Sequence, residues 1–156
     1  MKVYLVRASL TVDAPADAPR AARHLSLRGR QVARSVGAAL ARHGDAVDAI
    51  YTSPEVAAVQ TAELFADRVD HLGEVRVLHG VTAGLAQRAV ADAVLAGGAS
   101  VMVVGEEPWL AAFGAFLLGS PAFPPGRPAQ VSLVEDGRPA WALNPETLDF
   151  ATLTVS

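Results

Sequence analysis

The chain has 156 residues, 51% hydrophobic and 19% charged, enough for one domain (1–156) with a substantial core and too few for two. It has no cysteine, and His24, His43, His71 and His79 show no ligand spacing; disulfides and thiolate sites are excluded, and neither a metal nor a cofactor is expected. A formal net charge of −3 without a clustered basic run argues against nucleic acid, and no apolar run reaches the roughly 18 residues of a membrane span.

In chain order, the apolar run 2–6 predicts a buried strand that ends on Arg7. This five-residue start is too short for a secretory signal, so a cytoplasmic location is expected. Prolines 15 and 19 make 9–22 a loop. Val32, Val36 and Leu40, with Ala33 and Gly37 beside them, have the spacing of one helical face over 27–43, and His43-Gly44 is a C-terminal stop. A short strand follows at 47–51. Pro54, with Ser53 before it as N-cap, opens a second helix whose buried stripe is Val56, Val59, Ala62, Phe65 or Ala66, and Val69.

The second half alternates in the same way: a strand at 75–78, a helix at 85–95, and an uninterrupted apolar strand at 99–104 of the kind covered on both faces in parallel sheets. Pro108 opens a helix over 109–118, and the proline-rich segment 121–128 returns the chain to a strand at 130–134. Asp136-Gly137 is a hairpin signal joining that strand to 139–143. The order β-α-β-α-β-α-β-α-β-β predicts an α/β three-layer sandwich, its mostly parallel central sheet carrying an antiparallel edge hairpin.

In open α/β sheets ligands sit beyond the carboxyl ends of the strands, where the winding reverses. Arg7-Ala8-Ser9, Thr52-Ser53-Pro54 and Gly105-Glu106-Glu107-Pro108 should converge there. Two of these segments also open helices, whose free N–H groups favour an anion. Arg7 is then either an anion ligand or the partner of Glu106 or Glu107. Ser9 and Ser53 read as a turn residue and an N-cap that also line the crevice, Trp109 as core, and His24 as surface.

At these residues the chain resembles the histidine phosphatase superfamily (phosphoglycerate-mutase-like), and within it the short bacterial phosphohistidine phosphatases of the SixA type. The resemblance runs nearly end to end. Val6-Arg7-Ala8-Ser9 stands where the family has its Arg-His motif, and Arg23-His24-Leu25-Ser26-Leu27-Arg28-Gly29-Arg30 where it has a segment like Arg-Pro-Leu-Thr-x-x-Gly-Arg. Ser53-Pro54-Glu55-Val56-Ala57-Ala58-Val59-Gln60-Thr61-Ala62 matches Ser-Pro-x-x-Arg-Ala-x-Gln-Thr-Ala, and Val104-Gly105-Glu106-Glu107-Pro108-Trp109-Leu110 matches Val-Gly-His-x-Pro-x-Leu. The resemblance implies a nucleophilic histidine where this chain has Ala8, a second phosphate-clamping arginine where it has Ala57, and a second histidine where it has Glu106.

A methyl group has no lone pair with which to attack phosphorus. Exchanging an arginine for alanine and a histidine for glutamate also turns an attractive phosphate pocket into a nearly neutral one, since unit charges about 4 Å apart interact by roughly 4 kcal/mol at an effective dielectric near 20. Only Arg7 remains as a weak anion site, and an Arg7–Glu106 ion pair across the pocket is one arrangement the residues permit. The reading is a catalytically inactive histidine-phosphatase-like domain that binds or scaffolds an unknown protein partner or small ligand, away from nucleic acid and membrane. The alternative is a phosphohistidine phosphatase or other phosphoester hydrolase with a non-standard site using Glu106.

Overall fold

The fold is that of a computed structural model, which describes residues 1–13, 15, 17–81 and 87–156. The first apolar run forms β1 (Lys2–Arg7), and the helix after the proline loop is α1 (Leu27–Arg42). Ser26 caps α1, its hydroxyl accepting the Gly29 N–H at 2.9 Å, and the helix ends with the His43 N–H on the Ala39 carbonyl and the Gly44 N–H on the Ala41 carbonyl, each at 3.0 Å. The chain continues as β2 (Ala49–Thr52), α2 (Val56–Arg68), β3 (Val75–Val77), α3 (Gln87–Leu95), β4 (Ser100–Gly105) and α4 (Trp109–Leu118). It closes with β5 (Val131–Glu135), β6 (Arg138–Leu143) and β7 (Phe150–Thr152).

One sheet runs β3-β2-β4-β1-β5-β6-β7. β3, β2, β4 and β1 are parallel neighbours, and β5, β6 and β7 add antiparallel pairings beyond β1. Alternate β1 residues face opposite layers, as the period-two geometry of a strand requires. Tyr4 and Val6 join the core under α1 and α2, while Val3 and Leu5 join the core under α3 and α4. The α/β three-layer architecture is therefore as expected. Asp136 and Gly137 both take positive φ, 50° and 73°, as a tight two-residue hairpin demands.

Two details differ from the sequence reading. β7 follows the hairpin, so β5 and β6 lie one strand in from the edge. α2 starts at Val56, preceded by an extended Glu55 that gives no side-chain cap, so Ser53 is not an N-cap. The start expected for the third helix, at 85, lies outside the described residues.

Gly29 lies against the loop after β1, where a Cβ would be 2.0 Å from the Leu10 carbonyl oxygen. At the far end of α1, the His43 ring stacks on Phe150 with centroids 4.1 Å apart and meets Trp141 edge-on at 5.6 Å. His43 Nδ1 is 2.6 Å from Asp45 Oδ2, and the Tyr4 hydroxyl donates to Asp45 Oδ1. Burial, reinforced by Asp45, pushes the Tyr4 phenol well above its ordinary pKa.

Candidate functional site

Strand register brings the carboxyl ends together: Arg7 lies opposite Gly105, and Thr52 opposite Val104. The backbone stitches the tips to one another, Ala8 N–H donating to the Gly105 carbonyl at 2.9 Å and Ser53 N–H to the Val104 carbonyl at 2.9 Å. The result is a crevice of two adjoining cavities. One, of about 190 Å³, is lined by Arg7, Ala8, Ser9 and Glu106 among others; the second, of about 250 Å³, by Ala21, Glu55 and Glu107; Arg20 and Glu106 line both.

Each expected residue has a definite place. Arg7 Nη1 donates to the Gly126 carbonyl at 2.8 Å, and its Nε is buried without a partner. Among the described residues no direct ion pair joins Arg7 to Glu106 or Glu107, so the ion pair permitted by the sequence does not form. Ala8 is 3% exposed at the tip of β1. Ser9 is buried and structurally occupied: its hydroxyl donates to the Gly29 carbonyl at 2.7 Å, and its N–H donates to Thr61 Oγ1 at 3.0 Å. Thr61 in turn donates to the Ala57 carbonyl at 2.7 Å. Ala57 packs in the first turn of α2 among the α1–α2 core residues. Ser53 is buried with an unpartnered hydroxyl and lines neither cavity. His24 is exposed, and Trp109 stacks on Phe113 at the margin of the core.

The helix starts that would cradle an anion already face carboxylates of the chain itself. Glu107 Oε1 accepts the Ala111 N–H at 3.1 Å in the first turn of α4, and Glu55 occupies the position before α2. Glu55 Oε2 and Glu107 Oε2 are buried without partners. The crevice thus holds three carboxylates and two guanidinium groups, Arg7 and Arg20. Glu55 and Arg20 were absent from the sequence reading of the site. Glu55 had a signal, since it stands two residues from Ser53 in the same motif. Arg20, on a single 3₁₀ turn (Arg20–Ala22), had none.

Burial raises the pKa of Glu106, with repulsion from Glu55 adding to it and Arg7 and Arg20 opposing it. Burial also raises Glu107, against the Ala111 N–H and Arg7. The folded chain therefore binds more protons than the unfolded one just above the ordinary carboxylate value of 4.5, and stability falls as pH rises through that window. Glu106→Gln removes this cost. Near neutral pH the variant is expected to melt about 2–4 °C higher, ~1 kcal/mol after allowing for partial solvent screening, and the gain should vanish in acid. A melting-temperature series against pH checks the sign, and a gain in acid alone would contradict it.

The chain is thus an α/β sandwich with its polar crevice at the strand tips, beside the arginine that ends β1. The sequence model of the histidine phosphatase superfamily (branch 1) matches residues 3–84, and the chain belongs to that family. No curated protein sequence matches it. Among solved structures, the protein histidine phosphatase SixA complexed with tungstate superposes with a TM-score of 0.81 at 22% identity, covering 96% of this chain and 100% of that one. Mycobacterial glucosyl-3-phosphoglycerate phosphatase superposes with a TM-score of 0.64 at 16% identity, covering 99% of both chains. Phosphoserine phosphatase from Entamoeba histolytica, in complex with 3-phosphoglyceric acid, gives 0.63 at 15%, covering 99% of this chain and 97% of that one. Among the described residues no helix is long and apolar enough to cross a membrane, and no three of His, Asp or Glu gather closely enough to hold a metal ion.

Proposed function

We propose that this chain is a pseudophosphatase: a histidine-phosphatase domain over 1–156, cytoplasmic, that binds a protein partner or small ligand without transferring a phosphoryl group. The observation that carries this reading is Ala8. Its methyl group lines the crevice at the tip of β1, where phosphoryl transfer through the enzyme requires a lone pair. The surrounding charge supports it. A phosphate dianion entering beside Arg7 and Arg20 would meet Glu106, and the helix starts at Glu55 and Glu107 offer carboxylates in place of free dipoles.

The competing reading is a hydrolase in which Glu106 acts as general base, favoured by the raised pKa of its carboxyl beside two arginines. One assay separates the two. The purified protein is expected to show neither burst nor turnover with an aryl phosphate or a phosphohistidine peptide. Turnover that disappears in Arg7→Ala or Glu106→Gln would replace the binding reading with the enzymatic one.

A further inference from the structure

The charged groups of the crevice are sorted by place. Arg20 and Glu106 line both cavities; beyond this shared pair, Arg7 lines only the smaller one, and Glu55 and Glu107 only the larger. The smaller cavity is therefore the cationic end and the larger the anionic end. Glu106 stands between them, drawn by Arg7 and Arg20 and repelled by Glu55 and Glu107. Within the fold these charges stay unpaired: among the described residues neither arginine comes within 4.0 Å of a carboxylate oxygen. Arg7 Nη1 is held by the Gly126 carbonyl and Glu107 Oε1 by the Ala111 N–H, whereas the side chains of Arg20, Glu55 and Glu106 make no hydrogen bond among the described residues. Buried atoms of both signs, Arg7 Nε and Glu55 Oε2, are left without a partner, a state that is rare in folded proteins.

A ligand of one sign gains at one end of this crevice and is repelled at the other, whereas a dipolar ligand gains at both. Neither cavity alone, at about 190 and 250 Å³, reaches the roughly 300 Å³ at the lower end of small-molecule sites, so an occupant of ordinary size spans both. Three carboxylates against two guanidinium groups leave one formal negative charge, which a molecule with one carboxylate and two cationic groups offsets. Its carboxylate suits the arginine end, because guanidinium binds carboxylate through two parallel hydrogen bonds. Ala8, Leu10 and Ala21 add apolar wall for a methylene stem. A metal ion does not suit the anionic end, since among the described residues no three of His, Asp or Glu gather closely enough to hold one.

We infer that the crevice binds a small basic amino acid, its α-carboxylate at Arg7 and Arg20 and its cationic groups at Glu106 and Glu55. This rests on the reading of the crevice as a ligand site without phosphoryl transfer. The test is a backbone-amide NMR titration of the full chain with L-arginine, with agmatine, which lacks the carboxylate, with L-citrulline, which lacks the side-chain charge, and with inorganic phosphate. L-Arginine is expected to bind saturably, to shift the amides of Ala8 and Glu107, and to bind at least about tenfold tighter than either analogue or phosphate. Arg20→Gln should narrow the preference over agmatine by about threefold and leave that over citrulline, and Glu55→Gln should do the reverse. The inference is overturned if L-arginine gives no saturable shift at the strand tips, if agmatine or citrulline binds as tightly, if phosphate binds tighter, or if both variants change the two preferences alike. Incubating the same sample with an aryl phosphate separates the two readings: turnover refutes the underlying one, whereas an inactive protein that ignores all four probes refutes this inference alone.

Discussion

Gly29→Ala is expected to destabilise the protein by about 3 kcal/mol or more, a fall in melting temperature of roughly 6–12 °C for a chain of this size. In an exposed helix the same exchange would help, because alanine is the better helix former by about 1 kcal/mol. Here the new methyl group would lie 2.0 Å from the Leu10 carbonyl oxygen and 2.9 Å from its carbon, and both are backbone atoms. The obstruction cannot swing aside cheaply. The Leu10 carbonyl accepts the Ser26 N–H at 3.0 Å, and the Gly29 carbonyl accepts the Ser9 hydroxyl at 2.7 Å, so the loop and the helix start are tied from both sides. Denaturant unfolding followed by circular dichroism measures the loss. A variant as stable as the parent would show that the Leu10 loop yields, and with it the crevice wall that this loop builds.

The second large effect is a gain. Ala8→His alone is expected to remain unphosphorylated, because Glu106 still presents a carboxylate to the cavity that the imidazole enters. Ala8→His combined with Glu106→His supplies both a lone pair and a group that can carry positive charge. Replacing a repulsion by an attraction beside a transferring phosphoryl group is worth about 10²–10³ in rate. The double variant should therefore take label from a phosphoramidate donor at least about 10²-fold faster than the single one, in an acid-labile, base-stable form. Label on the parent protein would refute the pseudophosphatase reading. An unlabelled but folded double variant would show that the arginine position held by Ala57 is indispensable.

Much of the fold was legible because its elements carry their own periodicity. The Val32–Val36–Leu40 stripe, the run into Arg7 and the Asp136-Gly137 turn each define a local structure before any tertiary contact forms. β7 was not legible, since Phe150–Thr152 is three residues long and becomes a strand only through its ladder with Trp141–Leu143. The Ser53 cap was misplaced for a related reason. Pro54 permits a helix start without fixing it, and α2 begins two residues later. At the site, Arg7, Ala8, Glu106 and Glu107 follow from strand ends in one chain, whereas Glu55 and Arg20 complete the crevice only once separate loops converge.

The aromatic clasp formed by His43, Trp141 and Phe150, held to Tyr4 through Asp45, sits at the opposite end of α1 from Gly29, about 21 Å away along the helix. Anchorage and the crevice are thus lodged at separate ends of α1. On the pseudophosphatase reading, the crevice can change while the clasp still holds the far end of the fold in place.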